Sequence, residues 1–186
     1  MELGTERMER WGDGVLGEGI PPSFHRSNPY LGDFMKIEIF PDADAVAQKA
    51  AEIIATEARA AVKVRGRFVV AVSGGHTPWQ MLRALADEDV PWKDMHVVQV
   101  DERIAPAGDP DRNLTHLYES LLEHAPLGRD RIYAMPVEAP ELESAAGRYT
   151  GTLREIAGSP PVLDLVHLGI GPDGHTAVPC TGRSSS

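Results

Sequence analysis

The segment 164–176 contains residue types that could carry out chemistry at the end of a strand. Val166 and Leu168 are strand formers, and the glycine-rich continuation holds one carboxylate, Asp173, and one histidine, His175. Glycines let the backbone turn and approach a ligand closely, and a histidine that titrates near neutrality suits proton transfer. The same pattern also fits a plain strand and turn with both polar side chains in solvent. This segment alone favours neither interpretation.

A second candidate follows the uninterrupted apolar segment 68–72, which is typical of a strand buried on both faces. It ends in Ser73-Gly74-Gly75-His76-Thr77-Pro78, and a helical pattern comes next. A strand, a glycine-rich turn and a helix in this order place main-chain N–H groups where they suit a phosphate. A tight turn without a ligand is the more frequent explanation of Ser-Gly-Gly alone. Neither the P-loop pattern nor G-x-G-x-x-G is present, which disfavours ordinary nucleotide binding.

A third strand pattern, 95–100, runs directly into Asp101-Glu102-Arg103. A solvated strand end is one explanation. The other is that Arg103 lies at the same sheet edge as the Ser73 loop, where its guanidinium fork matches a phosphate. Asn113 is a plausible helix cap further along the chain. The histidines at positions 25, 96, 116, 124 and 167 show no metal-ligand spacing.

The elements that must position these loops alternate along the chain. We predict strands at 35–39, 68–72, 95–100, 132–135 and 163–169, and helices from Asp42 to Gly66, after Pro78, from Asn113 to Leu122 and over 141–157, the last with Ala146, Tyr149 and Leu153 facing inward. This order predicts an α/β domain with a mostly parallel sheet, doubly wound and flanked by helices. The Ser73, Asp101 and Gly171 loops should then meet at its carboxyl edge.

The composition favours one globular domain. The chain has 186 residues, 42% of them hydrophobic, and a formal net charge of -10 that disfavours nucleic acid as a partner. No apolar segment reaches membrane-spanning length and no signal-peptide core follows the charged N-terminus, so we expect a cytoplasmic protein. Cys180 is the single cysteine, which excludes a disulfide framework and a cysteine-rich zinc site. We predict an irregular leader over 1–34, with Met35 as an alternative start.

Three motifs together resemble one family. They are Ser73 to Pro78, Asp101-Glu102-Arg103, and Gly169-Ile170-Gly171-Pro172-Asp173-Gly174-His175-Thr176-Ala177. In this order, over residues 35–177, the chain is similar to the 6-phosphogluconolactonases, hydrolases of the pentose phosphate pathway. The related amino-sugar-6-phosphate deaminases and isomerases share the sheet and similar loops, but Arg103 and Thr176-Ala177 resemble the lactonase side.

The resemblance implies a role for each motif. His175 would be the general base that takes a proton from water, Asp173 would orient its imidazole, and N–H groups around Gly171 and Gly174 would stabilise an oxyanion. The substrate-binding residues implied are Ser73, Gly74, Gly75, Thr77, Asp101 and Arg103, with Arg112 or Asn113 toward the sugar. The resemblance implies a sugar-phosphate lactone as the partner, no metal or organic cofactor, and a monomer at full length.

From Val178 the sequence departs from the family pattern. The resemblance implies a further C-terminal part with strands, a helix and basic residues, whereas the chain reads Val-Pro-Cys-Thr-Gly-Arg and three serines. We interpret 178–186 as an aberrant tail, produced by a frame shift at Ala177, and expect the fold to be incomplete at the C-terminus. The 186-residue chain is then predicted to be poorly soluble or partly unfolded and to have no measurable lactonase activity. A catalytically inactive fragment is thus an alternative to an active lactonase.

Overall fold

The computed structural model describes residues 36–171, 174, 176 and 177. The chain divides into two compact units, Met1–Ile39 and Phe40–Ser186. In the first unit, residues 36–39 form no strand, and Ile37 and Ile39 are 61% and 73% exposed. The predicted strand at 35–39 is therefore wrong for these residues, because alternation alone supplies no neighbour to pair with the backbone. The predicted leader 1–34, Met35 and the tail 178–186 lie outside the described residues.

The second unit is built from alternating helices and strands. They are α1 (Ala43–Arg65), β1 (Phe68–Val72), α2 (His76–Leu85), β2 (Met95–Gln99), α3 (Asn113–Leu117), β3 (Ile132–Tyr133), α4 (Leu142–Ala157) and β4 (Leu165–Val166). A π-helical turn, Tyr118–Leu122, extends α3, and 3-10 turns lie at Trp92–Asp94 and Arg129–Arg131.

The four strands form one parallel sheet in the order β3-β2-β1-β4. The strand order reverses at β1, because β2 and β3 follow on one side and β4 lies on the other. In open α/β sheets, ligands bind outside the carboxyl ends of the strands at such a reversal. The predicted α/β fold with a parallel sheet and flanking helices is confirmed.

The first helix begins and ends where the sequence predicts. The Asp42 side chain accepts a hydrogen bond from the Ala45 N–H at 2.8 Å, and Gly66 ends the helix in the left-handed region with φ 70°. Between these caps, one face of α1 packs against α2 and the sheet through small buried residues: Ala47, Ala51, Ala55, Ala58 and Ala61. Small side chains allow the helix to approach its neighbours closely.

The core lies on the face of the sheet covered by α1, α2 and the α3 segment. All five residues of β1 are buried, because the strand is paired on both edges by β2 and β4. Phe68, Val70 and Val72 alternate toward this core together with Met95 and Val97 of β2.

Two predictions about the later elements are wrong in detail. The segment 163–169 was predicted to be a buried strand, but β4 spans two residues and Val166 is 49% exposed, because β4 pairs only with β1 in the part of the chain described. Ala146 of α4 is exposed instead of facing inward; Ala145 and Ala157 are buried. Tyr149, which was predicted to face inward, lies on the same face as Ala145 and Ala157, and its hydroxyl anchors the helix to the end of β2.

Candidate active site

The loops after β1, β2 and β4 meet at the reversal of strand order. Ser73 follows β1, Asp101 follows β2 and Gly169 follows β4. The sequence therefore placed these loops correctly at the carboxyl edge of the sheet. The side chains within them are arranged by hydrogen bonds that no periodic pattern reveals.

Ser73 joins the loop after β1 to the loop after β4. Its side chain is buried, and its Oγ donates to the His167 carbonyl at 3.1 Å and accepts from the Gly169 N–H at 3.4 Å. The hydroxyl is thus directed across the sheet toward β4.

The two glycines that follow need their small size for different reasons. A Cβ on Gly74 would lie 1.8 Å from Asn113 Oδ1, so the Asn113 amide occupies the space beside this Cα. Gly75 has φ 117° and immediately precedes α2, a conformation that L side chains rarely adopt. Thr77 is exposed in the first turn of α2. The loop therefore leads directly into the N-terminus of a ten-residue helix, whose N–H groups favour an anion.

Glu102 is the central polar residue of the site and was not among the predicted site residues. Its carboxylate accepts hydrogen bonds from Gln99 Nε2 and from the main-chain N–H groups of Arg103, Asn113 and Leu114, at 2.6 to 2.9 Å. Burial alone would raise the pKa of this carboxyl, but the hydrogen bonds outweigh it and hold the pKa below its ordinary value of 4.5. Glu102 thereby caps the first turn of α3, a role that was predicted for Asn113.

Asn113 is the first residue of α3 and faces the loop after β2. Its Nδ2 donates to Asp101 Oδ1 at 3.0 Å and to the Asp101 carbonyl at 3.2 Å, while its Oδ1 packs against Gly74. The side chain thus connects the loops after β1 and β2. An acidic residue three positions after the end of a buried strand, followed eleven positions later by a helix start, is the signal in the sequence that points to the Glu102 cap.

The two predicted arginines have different surroundings. Arg112 is 3% exposed; its Nη1 donates to Glu138 at 2.5 Å and to the Ala105 carbonyl at 3.2 Å, and its Nε lies 3.3 Å from Glu102 Oε2. Its guanidinium is therefore engaged within the protein. The Arg103 side chain is exposed at the sheet edge.

The end of β2 is anchored from the other face of the sheet. The Tyr149 hydroxyl accepts from the Gln99 N–H at 3.0 Å, and Gln99 Oε1 accepts from the Met135 N–H at 2.9 Å. Burial raises the pKa of Tyr149 to about 12. Because the Gln99 side chain also donates to Glu102, α4, the segment after β3 and the α3 cap are joined through one residue.

The loop after β4 is described as far as Gly171 and again at Gly174, Thr176 and Ala177. Gly174 has φ 83° and donates its N–H to the Gly171 carbonyl at 2.9 Å. Burial lowers the pKa of His167, the residue that begins this loop. Asp173 and His175, the predicted catalytic residues, lie outside the described residues.

The described residues contain no group of three or more His, Cys, Asp or Glu side chains placed to hold a metal ion. Within the same part of the chain, no helix combines the length and apolar character needed to cross a membrane.

Comparison with known proteins adds to this geometry. The sequence model of a family described as glucosamine-6-phosphate isomerases/6-phosphogluconolactonase matches residues 41–178. A curated 6-phosphogluconolactonase from Nostoc sp. is 33% identical over 145 residues, which cover 76% of this chain and 60% of the relative. The chain thus spans about three fifths of the length of that relative.

Solved structures show the same fold. The crystal structure of 6-phosphogluconolactonase from Thermotoga maritima superposes with a TM-score of 0.62 at 28% identity, covering 70% of this chain and 58% of that one. A monomeric glucosamine-6-phosphate deaminase reaches a TM-score of 0.64 at 24% identity, covering 77% and 58% respectively. Both enzyme types therefore share this sheet.

Proposed function

The chain belongs to the glucosamine-6-phosphate isomerase/6-phosphogluconolactonase family, and from that premise we propose that it hydrolyses 6-phospho-D-glucono-1,5-lactone to 6-phospho-D-gluconate, in the oxidative branch of the pentose phosphate pathway. The meeting of three loops at the reversal of strand order carries the proposal. The names of the Nostoc and Thermotoga relatives support the lactonase over the deaminase. A cytoplasmic enzyme that is monomeric at full length is part of the same proposal.

In the proposed reaction, His175 takes a proton from water as the water oxygen forms a bond to the lactone carbonyl carbon. Asp173 orients the imidazole, and N–H groups around Gly171 and Gly174 stabilise the oxyanion. When the carbonyl re-forms, the ring C–O bond breaks, and the proton held by His175 passes to the departing ring oxygen. The product is the open-chain acid, and no metal or organic cofactor enters the scheme.

The phosphate is held, in this proposal, by the N–H groups of Gly74 and Gly75, by Thr77 in the first turn of α2 and by Arg103. The positive φ of Gly75 and the helix start beside it support this placement, because they direct main-chain N–H groups toward the loop. Asp101 and Asn113 lie at the same edge and are assigned to the sugar hydroxyls. We assign Asn113 to the sugar in preference to Arg112, whose guanidinium is already engaged by Glu102 and Glu138.

A single assay on the purified 186-residue chain tests the proposal. Acid release from 6-phosphogluconolactone is followed at constant pH, with His175→Ala as the test variant and His124→Ala, an exposed histidine on a surface turn, as its matched control. In an active enzyme with the family's C-terminal part restored, we expect His175→Ala to lower kcat by about 10²- to 10⁴-fold and His124→Ala to leave it unchanged.

Two other results would replace the proposal. Release of ammonia from glucosamine 6-phosphate, without lactone turnover, would assign the chain to the deaminase side of the family. Lactone hydrolysis at the uncatalysed rate, with binding of a sugar phosphate retained, would identify an inactive fragment.

A further inference from the structure

The Ser73 hydroxyl occupies an unusual position in the parallel ladder between β1 and β4. The ladder runs through the His167 N–H, which donates to the Ala71 carbonyl at 2.8 Å. In a regular parallel pair the next two bonds would come from the main chain of residue 73: its N–H to the His167 carbonyl, and the Gly169 N–H to its carbonyl. Here Ser73 Oγ donates the first and accepts the second, at 3.1 and 3.4 Å.

Because the Ser73 hydroxyl takes the place of the Ser73 main-chain groups in these two hydrogen bonds, two requirements are met together. The ladder between β1 and β4 continues by one residue, although β4 itself is only two residues long. At the same time the main chain at Ser73 is released from the ladder and can turn through Gly74 and Gly75 into α2. Alanine at position 73 would break the continuation of the ladder, while threonine retains the hydroxyl.

The same geometry argues against a phosphate contact by this side chain. A serine hydroxyl has one donor hydrogen, and Ser73 gives it to the His167 carbonyl. A phosphate dianion requires a donor, so binding it would break that bond. Ser73 is also only 8% exposed, whereas Thr77 is exposed in the first turn of α2.

We propose that Ser73 is a positioning residue whose hydroxyl holds residues 167–169 against the end of β1, and that it acts on the reaction through the loop that leads along the chain to Asp173 and His175. Its role is thus separate from phosphate binding by Gly74, Gly75 and Thr77. The catalytic part of this inference rests on the proposed lactonase function.

Hydrogen exchange tests the contact without any assumption about activity. In Ser73→Ala, exchange in a peptide covering 167–171 should accelerate by about 2- to 12-fold, as expected for the loss of one net hydrogen bond. Ser73→Thr should exchange like the wild type, and so should the matched control Thr77→Ala. Inorganic phosphate should slow exchange over 74–80 equally in the wild type and Ser73→Ala, and less in Thr77→Ala.

Kinetics test the division of roles. Ser73→Ala should lower kcat by about 10- to 100-fold with KM nearly unchanged, Ser73→Thr should restore it, and Thr77→Ala should raise KM instead. If Ser73→Ala fails to fold, Ser73→Cys, a weak hydrogen-bond donor of similar shape, should give the same pattern. A raised KM and weaker phosphate protection in the Ser73 variants would overturn the inference. A wild type without lactone turnover would refute the proposed function, while the exchange data would still decide whether Ser73 holds the loop.

Discussion

Replacing Glu102 by glutamine changes one buried oxygen into an NH₂ group at nearly constant volume. In one orientation of the amide, this NH₂ group faces the N–H groups of Arg103 and Asn113; in the other, it faces Leu114 N–H and Gln99 Nε2. Each orientation therefore sets donor against donor at two places. Rotating the Gln99 amide to help would remove its own bond to the Met135 N–H.

The magnitude follows from these losses. Each buried donor left without an acceptor costs about 1–3 kcal/mol, and Arg112, itself 3% exposed, loses a charged neighbour at 3.3 Å. Removing one member of a buried ion pair costs about 3–5 kcal/mol. We expect Glu102→Gln to lower the free energy of unfolding by about 3–5 kcal/mol, a large part of the 5–15 kcal/mol typical of a domain.

Urea denaturation of the wild type and the variant at neutral pH measures this difference. Glu138→Gln is the matched control, because it makes the same chemical change to the other carboxylate that contacts Arg112, on a side chain that is 52% exposed. We expect the control to cost no more than about 1 kcal/mol. A loss of similar size in both variants would refute the central role of Glu102.

The pH dependence adds an independent check. The pKa of Glu102 is lower in the folded protein than the ordinary value of 4.5, so its ionisation stabilises the fold above about that pH. As the pH falls through the lower pKa of the folded protein, the carboxyl becomes protonated and this stabilisation is lost. The difference between the wild type and Glu102→Gln should therefore shrink in acid. A difference independent of pH would contradict the assignment.

Three further substitutions test other contacts by urea denaturation. Gly74→Ala should cost about 1–3 kcal/mol, because the new Cβ displaces the Asn113 amide from Asp101; in a double-mutant cycle Asn113→Ala should remove most of that cost. Asp42→Ala should cost about 1 kcal/mol by removing the cap of α1, whereas Asp42→Asn should be nearly neutral. Tyr149→Phe should cost about 1–3 kcal/mol, because the buried Gln99 N–H loses its acceptor; a neutral Tyr149→Phe would show that another group replaces the hydroxyl.

The sequence was most informative where a residue's environment depends on its near neighbours along the chain. Asp42 and Gly66 are the N-cap and C-cap of α1, and the apolar segment at 68–72 is a fully buried strand. Both could be predicted because capping and hydrophobic patterning act locally. The alternation at 35–39 led to a wrong strand prediction, because strand formation also depends on residues elsewhere in the chain. A strand needs a paired neighbour as well as a pattern, and Ile37 and Ile39 are exposed.

The candidate site shows the same contrast between features that depend on local sequence and features that depend on distant residues. Loop positions could be predicted because the carboxyl ends of parallel strands share one edge of the sheet. The roles of side chains could not, since they depend on contacts between residues far apart in sequence. Ser73 and His167 are 94 positions apart, and Asn113 reaches Asp101 and Gly74 from a third element.

The contacts at the sheet edge distinguish buried residues that hold the loops from exposed residues that the proposed function assigns to the substrate. Ser73 and Glu102 are buried and have their side-chain oxygens bound within the protein, and the buried Arg112 donates through Nη1 to Glu138 and to the Ala105 carbonyl. Thr77 and Arg103 are exposed beside them. The sequence motifs of this edge therefore contain two kinds of residue, which substitutions should distinguish. Changes in the buried residues should alter stability or kcat. Changes in the exposed residues should alter KM. Ser73 joins the loop after β1, the proposed phosphate-binding loop, to the loop that leads to His175, and Glu102 joins the end of β2 to α3. The spacing between the first two loops therefore depends on the Ser73 hydroxyl.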